Sequence, residues 1–394
     1  MENKRRLKIG IFMDNFYPTI DGVVMVIDNL AKMLAKFNDV TVVVPYTSSY
    51  DEDYARPYNI VRVKSIPIPF SEYRIGKMNT SFSKEYRMLL KEKFDIIHIH
   101  SPFTIGYLGL KVAKKLNIPC VSTMHTRFDF EIRKLINNEL VVKKVIKKII
   151  KIYNSCDNSI AVNNAMVKVF KDYGYKGIPT VIYNGTDLIP LKEKEKNIKI
   201  VNKLYDLDEK VPVLLFVGRI TEIKNIFFIL DSLKLLKKDN FKFKMIYVGT
   251  GVDEKKLKSK IKEYNMSNDI ILTGRITDRI LLSSIYARAD LFLFPSLFDA
   301  SSIVQIEAAV NETPGLFIEG SVTADTITDN VNGFTTVLDE RKYKDKIKEI
   351  LNNKKLLNKV SQNARKTLGK NWRDIAFETH KFYLKEIEKK KQNK

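Results

Sequence analysis

Short apolar runs recur along the chain, separated by longer stretches whose apolar positions repeat at helical spacing. KIGIFM (8–13), VTVVVP (40–45), DIIHIH (95–100), IPCVST (118–123), NSIAVN (158–163) and TVIYN (180–184) occupy the first half. VPVLLFVG (211–218), FKFKMIYVG (241–249), DIILTG (269–274), DLFLFPS (290–296), PGLFIE (314–319) and GFTTV (333–337) occupy the second. Runs apolar on both faces suit buried parallel strands, and the helices predicted between them, such as 22–36, give βαβ units. A helix is also predicted between PGLFIE and GFTTV, and only helices after GFTTV. The run LKEKEKNIKIVNKLYDLDEK (191–210) breaks the alternation with charge and reads as an interdomain connection.

The pattern predicts an α/β chain of two Rossmann-like doubly wound domains facing across a cleft. Their expected limits are 1–187 and 211–370, with 188–210 as linker and domain start. A C-terminal helix with a basic tail (371–394) is expected to pack back on the first domain.

Composition adds bounds. With 394 residues and 44% hydrophobic content, the chain can fill two cores. No apolar run approaches the ~18 residues of a membrane span. The basic start MENKRRLK leads into IGIFM, which is too short for a signal-peptide core and points to a cytoplasmic protein. Two cysteines make neither a disulfide framework nor a metal cluster. The net charge of +22 points to an anionic partner, although lysine spread among isoleucine and asparagine equally fits an AT-rich coding genome.

Candidate chemistry gathers at strand ends. In 294–320, Asp299 precedes and Glu307 lies inside a helix expected to open near Ser301. A helix start offers free amides and positive dipole charge to phosphate, and flanking acids suit sugar hydroxyls. Arg219 and Lys224 follow the strand 211–218 and are suited to a diphosphate, Arg as a planar fork and Lys as a point charge. Gly249 with Gly251, and Gly274 with Arg275, mark two further turns on the same edge.

The first loop, DNFYPTIDGVV, lacks the three spaced glycines of a dinucleotide site, so nicotinamide binding is disfavoured. Gly22 either lets a ligand approach the helix start or is a turn glycine. His98 and His100 share one face of a strand, which makes a metal pair conceivable, but no further ligands cluster nearby. His125 follows its strand almost directly and suits a sugar hydroxyl, or is a structural histidine. On the helix 140–153, Lys143, Lys144, Lys147, Lys148 and Lys151 oppose an aliphatic stripe. That helix must cover the sheet, and its basic face also suits an anionic membrane.

In order, VGRITEIKN, VGTG, LTGR, FPSLFDASSIVQIEAA, TP and DNVNGF resemble the C-terminal domain of family 4 retaining glycosyltransferases of the GT-B fold. NWRDIAFETHKFY and VIYNGTD are similar to that family's ending and interdomain turn. By this resemblance Arg219 and Lys224 hold the donor diphosphate, Asp299 the transferred sugar and Glu307 the ribose. Amides of Ser301, Ser302, Ile303 and Val304, with Gly22, Gly218, Gly249, Gly251 and Arg275, complete the donor site, with no metal and no cofactor.

DNFYPTIDGVV, HIHSPFTIGYLGLKVAKKLNIP and STMHTRFDF look most like bacterial diacylglycerol glucosyltransferases. The resemblance implies UDP-glucose as nucleotide-sugar donor, a lipid acceptor, His125 beside the reacting groups, and a peripheral position on the inner face of the cell membrane. Four positions depart from the family: Asp299 stands for its usual Glu, Ala300 and Ser302 for glycines, and Glu312 for the glycine before the TP pair. Another acceptor in cell-envelope glycan or glycolipid synthesis, or a homologue of reduced activity, therefore stays open. The non-enzyme alternative is a basic polyanion-binding protein, but nothing resembles a nucleic-acid module, and no nucleic-acid partner is expected.

Overall fold

The computed structural model describes residues 5–19, 21–47, 53–67, 74–76, 83–133, 136–297 and 299–392. It divides into two compact units, Met1–Asn184 with Trp372–Lys394, and Gly185–Asn371.

In the first unit the strands are β1 (Lys8–Phe12), β2 (Asp39–Pro45), β3 (Asn59–Val63), β4 (Ser65–Pro67), β5 (Arg74–Gly76), β6 (Ile96–Ile99), β7 (Cys120–Met124), β8 (Asn158–Ala161) and β9 (Thr180–Val181). One parallel sheet runs β3-β2-β1-β6-β7-β8-β9, and β4 pairs with β5 antiparallel. Ile9, Ile11, Val42, Val43, Val44, Ile96 and Ile97 are fully buried, which is why these strands read as continuous apolar runs. The edge strand β3 carries Asn59 and Arg62 and is only half covered, so its pattern is weak.

Helix Gly22–Leu34 begins where Asp21 accepts from the amides of Val23 and Val24 and buries Val24, Ile27, Leu30 and Leu34. Helix Glu139–Tyr153 is capped by Asn138 and buries Val142, Ile146, Ile149, Ile150 and Tyr153. Its lysines at 143, 144, 147, 148 and 151 are exposed. Helix Trp372–Gln392 belongs to this unit, where Phe377 stacks on Phe37 at 4.8 Å.

In the second unit β10 (Val213–Val217), β11 (Lys244–Val248), β12 (Ile270–Gly274), β13 (Leu291–Leu293), β14 (Gly315–Ile318) and β15 (Phe334–Thr336) form a parallel sheet ordered β12-β11-β10-β13-β14-β15. Strand order reverses between β10 and β13, as it does between β1 and β6. Such a reversal opens a crevice at the carboxyl ends of the two strands. Phe216, Phe292, Phe294 and Phe317 pack beneath this point, with Phe292 and Phe294 stacked at 5.3 Å. Each such burial is worth about 2 kcal/mol.

Three expectations are corrected. The charged stretch 191–210 is not a bare connection, because it contains helix Lys194–Leu204 within the second unit. Val201 is buried there, and Asn202 accepts from Arg288 Nε at 2.5 Å. Residues 185–187 also belong to the second unit, where Asp187 pairs with Arg279 and Leu188 enters the core. Between β14 and β15 there is only a single 3-10 turn, Val322–Ala324, because Ser321 caps it and Gly320 turns the chain at a φ of +70°.

Glu312 has a φ of +62°, the left-handed region that favours glycine. Its carboxylate is held by Lys194 and Arg365, both at 2.6 Å.

Candidate active site

Lys224 lies on a 3-10 turn, Glu222–Lys224, in the loop that leaves β10. Ile220 N donates to Thr250 O at 3.0 Å and Gly218 N to Val248 O at 3.0 Å, tying this loop to the one after β11. A Cβ at Gly249 would meet Gly218 O at 1.9 Å, and one at Gly251 would meet Ile220 O at 2.2 Å. These glycines are therefore demanded by backbone-to-backbone packing of two loops, a reason the spacing alone did not show.

Asn225 ends the turn at a φ of +56° and donates through Nδ2 to Pro295 O at 2.8 Å, pinning the loop to the segment after β13. That register brings Lys224 Nζ onto Asp299 Oδ1, with Nζ 6.0 Å from the centroid of Phe294. Asp299 Oδ2 is buried and has no partner among the described residues. Phe298, just before Asp299, lies outside the described residues. Arg219 and Arg275 are exposed on the loops after β10 and β12.

The helix expected to open near Ser301 is Ile303–Val310, two residues later, with Ser302 at the N-cap and no side-chain capping bond. Its amide end at Ile303 and Val304 thus has no side-chain oxygen from Ser302 competing for it. Glu307, on the same helix, is buried and accepts from Arg279 Nη2 at 2.8 Å and Tyr286 OH at 3.0 Å. Burial holds its pKa above the usual range against the pull of Arg279. Both carboxylate oxygens are engaged inside the protein, and a ribose hydroxyl would share them.

In the first unit, His98 bonds Tyr383 OH through Nδ1 and Thr123 Oγ1 through Nε2, each at 2.6 Å. With both nitrogens on hydroxyls it has no free lone pair for a metal. No group of three or more His, Cys, Asp or Glu side chains that could hold a metal occurs among the described residues. His100 lies against His98 with ring centroids 3.9 Å apart and bonds His125 Nε2 through Nδ1 at 2.8 Å. Burial lowers His98 and His125 to about 3 and His100 well below its usual value, so all three are neutral at pH 7.

Asp14, at the end of β1, accepts from Ser101 Oγ, Thr104 Oγ1 and the amides of Ile105 and Gly106. Burial raises its pKa, the four donors opposing. The start of helix Thr104–Leu116, beside the β1/β6 reversal, is thus already filled by a carboxyl group of the chain itself. Gly22 has open space around its Cβ position, but Asp21 already occupies the amides of residues 23 and 24.

Asp14, Asp187, Arg279, Tyr286 and Tyr383 escaped the sequence reading. Asp14 carried a usable signal, an acid directly after an apolar strand. Tyr383 carried none, since its partner lies 285 positions away.

The model for Glycosyltransferase Family 4 matches residues 20–189, and that for Glycosyl transferases group 1 matches 197–367. The chain belongs to glycosyltransferase family 4. Among its family 4 relatives, the alpha-monoglucosyldiacylglycerol synthase of Acholeplasma laidlawii is 29% identical over 91% of this chain and 92% of its own. That of Streptococcus pneumoniae is 25% identical over 78% and 70%. The crystal structure of Anabaena HepE in complex with UDP and glucose superposes with a TM-score of 0.74 at 16% identity, over 96% of this chain and 99% of that one. The fold is that of the GT-B glycosyltransferases, and this family 4 member is a glycosyltransferase.

Proposed function

We propose that this family 4 enzyme is a retaining hexosyltransferase that moves glucose from UDP-glucose to a membrane lipid such as diacylglycerol. The observation that carries the reading is the Lys224–Asp299 pair at the carboxyl ends of β10 and β13, a cation and an acid of the kinds suited to a diphosphate and its sugar. The two synthases named above match over 91% and 78% of the chain, and the glucosyl and diacylglycerol parts of their names support the sugar and acceptor classes.

As the anomeric bond loosens, negative charge grows on the leaving diphosphate. Lys224, Arg219 and the amides at Ile303 and Val304 stabilise that charge without a metal or cofactor, each preorganised donor contributing about 3 kcal/mol. Asp299 is assigned to the hydroxyls of the transferred sugar; His125, in the first unit, is assigned a hydrogen bond to a sugar oxygen of the substrate. The departing phosphate oxygen takes the acceptor proton on the same face.

Exposed lysines at 143, 144, 147, 148 and 151 flank Leu140, which is 79% exposed, and Val141, which is also exposed. We read this as a face that meets anionic headgroups, each lysine adding about 1 kcal/mol, and that keeps the enzyme peripheral on the inner leaflet. Among the described residues no helix is long and apolar enough to cross a membrane.

The test is radiolabelled UDP-glucose with diacylglycerol in anionic vesicles. Label in the organic phase, lost in folded Lys224→Ala, supports the proposal. Label confined to water-soluble product refutes the lipid acceptor. UDP binding without any turnover points instead to a homologue of reduced activity, and preference for DNA over vesicles to a polyanion-binding protein.

A further inference from the structure

His100 is 4% exposed and its Nε2 is sealed from solvent with no partner among the described residues. Its other nitrogen, Nδ1, meets His125 Nε2 at 2.8 Å. Two neutral imidazoles can share that contact in two ways. Either His100 carries its proton on Nε2, leaving a buried N–H unbonded, or it carries it on Nδ1 and donates to His125. A buried orphan N–H is rarer and more costly than a buried acceptor lacking a donor, so the second arrangement is favoured. His125 Nε2 is then an acceptor, and its proton must sit on Nδ1. That tautomer is set by the hydrogen bond the other nitrogen makes.

The neighbours of His100 hold this arrangement. His98 packs against it, tilted by 36°, and is itself fixed at both nitrogens, by Tyr383 from helix Trp372–Gln392 and by Thr123 of β7. The rings of His100 and His125 lie 5.1 Å apart and nearly parallel, at 20°. His125 Nδ1 has no hydrogen-bond partner among the described residues, and the ring is half-buried rather than sealed.

We infer that His100 is a positioning residue that fixes His125 in the Nδ1–H tautomer, so that His125 meets the substrate as a hydrogen-bond donor to a sugar oxygen and not as a base. The tautomer follows from the protein alone, and the donor role rests on the proposed glycosyl transfer.

The full chain has four histidines, so 15N-histidine labelling with long-range proton–nitrogen correlation resolves each ring. His125 is assigned by loss of its signals in His125→Gln. The unmutated protein is expected to show His125 protonated on Nδ1 alone. Protonation on Nε2, the form preferred in water, overturns the inference, and this reading of the unmutated protein needs no folded His100 variant. His100→Asn places an amide N–H near the position of Nδ1 and is expected to keep the tautomer, whereas His100→Leu releases it to Nε2–H. In that variant kcat is expected to fall about tenfold with donor KM little changed, and His100→Asn to restore most of it. An unaltered tautomer in folded His100→Leu removes His100 from the role. An altered tautomer with unchanged kcat overturns the donor role of His125. If the unmutated protein transfers no sugar at all, the proposed function fails while the tautomer measurement still decides the role of His100.

Discussion

If the proposed UDP-glucose donor is right, replacing Asp299 by Asn should make this enzyme bind UDP more tightly and transfer sugar more slowly. In the free protein Lys224 is committed to Asp299, and the two side chains are only 14% and 23% exposed, so their interaction is weakly screened. A phosphate that engages the same ammonium stands across it from the carboxylate. Two acceptors about 3 Å from one ammonium, on N–H bonds about 109° apart, stand about 5 Å from each other. Between an effective dielectric of about 20, usual near a protein surface, and about 80 in water, two like charges at that separation repel by about 0.8–3.3 kcal/mol, centred on the order of a factor of ten in affinity. Asn keeps the shape and an oxygen for Lys224 but removes this repulsion. Calorimetry with UDP should therefore show about tenfold tighter binding to Asp299→Asn, while Lys224→Ala binds more weakly than the unmutated protein. Radiolabelled transfer should fall by about a hundredfold in both, because each loses a group that the proposed mechanism assigns to the reacting centre. Unchanged or weaker UDP binding by a folded Asp299→Asn protein would refute the view that this acid competes with the donor for Lys224.

Glu312 is held below the usual glutamate range by hydrogen bonds from Lys194 and Arg365, so its contribution is present at neutral pH and drains away as pH falls through and below about 4.3. Urea unfolding should show Glu312→Gln less stable by about 1 kcal/mol at pH 7, with the gap closing by pH 3; a gap independent of pH would contradict the ion pairs. Glu307→Ala should cost the second unit about 3 kcal/mol, read from its denaturation midpoint, because it strips Arg279 and Tyr286 of a buried acceptor. Tyr383→Phe leaves His98 Nδ1 buried without its hydroxyl and should cost about 1–3 kcal/mol in thermal unfolding. His98, lowered to about 3 by burial, binds its proton far less readily than in the unfolded chain. Stability of the first unit should therefore fall as pH drops from about 6.5 towards 3, and His98→Asn should make that slope shallower in acid titration.

The alternation of apolar runs was enough to read both sheets, because parallel strands covered on two faces leave no polar positions to blur the period. The edge strand β3 and the short pair β4 and β5 were not read, since half-covered strands carry Asn, Arg and Ser like any loop. Lys224 and Asp299 were legible as chemistry, but their pairing depends on the register that joins β10 to β13 and on the bond from Asn225 to Pro295. Helix Lys194–Leu204 was missed because its buried face is narrow, with Val201 the apolar residue fully enclosed. The glycine count of the second unit's turns was visible, yet the reason for Gly249 and Gly251 was not, because their constraint is another loop's carbonyl rather than a ligand. Glu312 read only as a departure from family habit; its left-handed backbone explains the habit, and Lys194 and Arg365 explain how the chain tolerates the change.

The helix Trp372–Gln392 gives the two units different histories on the ribosome. Gly185–Asn371 is continuous and can close as soon as it has emerged, whereas the first unit, begun earlier, waits for a segment made after all of the second. Units generally fold in the order they are synthesised, and this connectivity favours the reverse order. Until residues 372–392 emerge, Phe37 has no Phe377 to stack on, and His98 no Tyr383 to bond. The nascent first unit therefore spends the synthesis of some two hundred residues, about 10–40 seconds at ordinary elongation rates, with that face unfinished and open to chaperones. A ribosome stalled late in the message would release a closed second unit joined to an incomplete first.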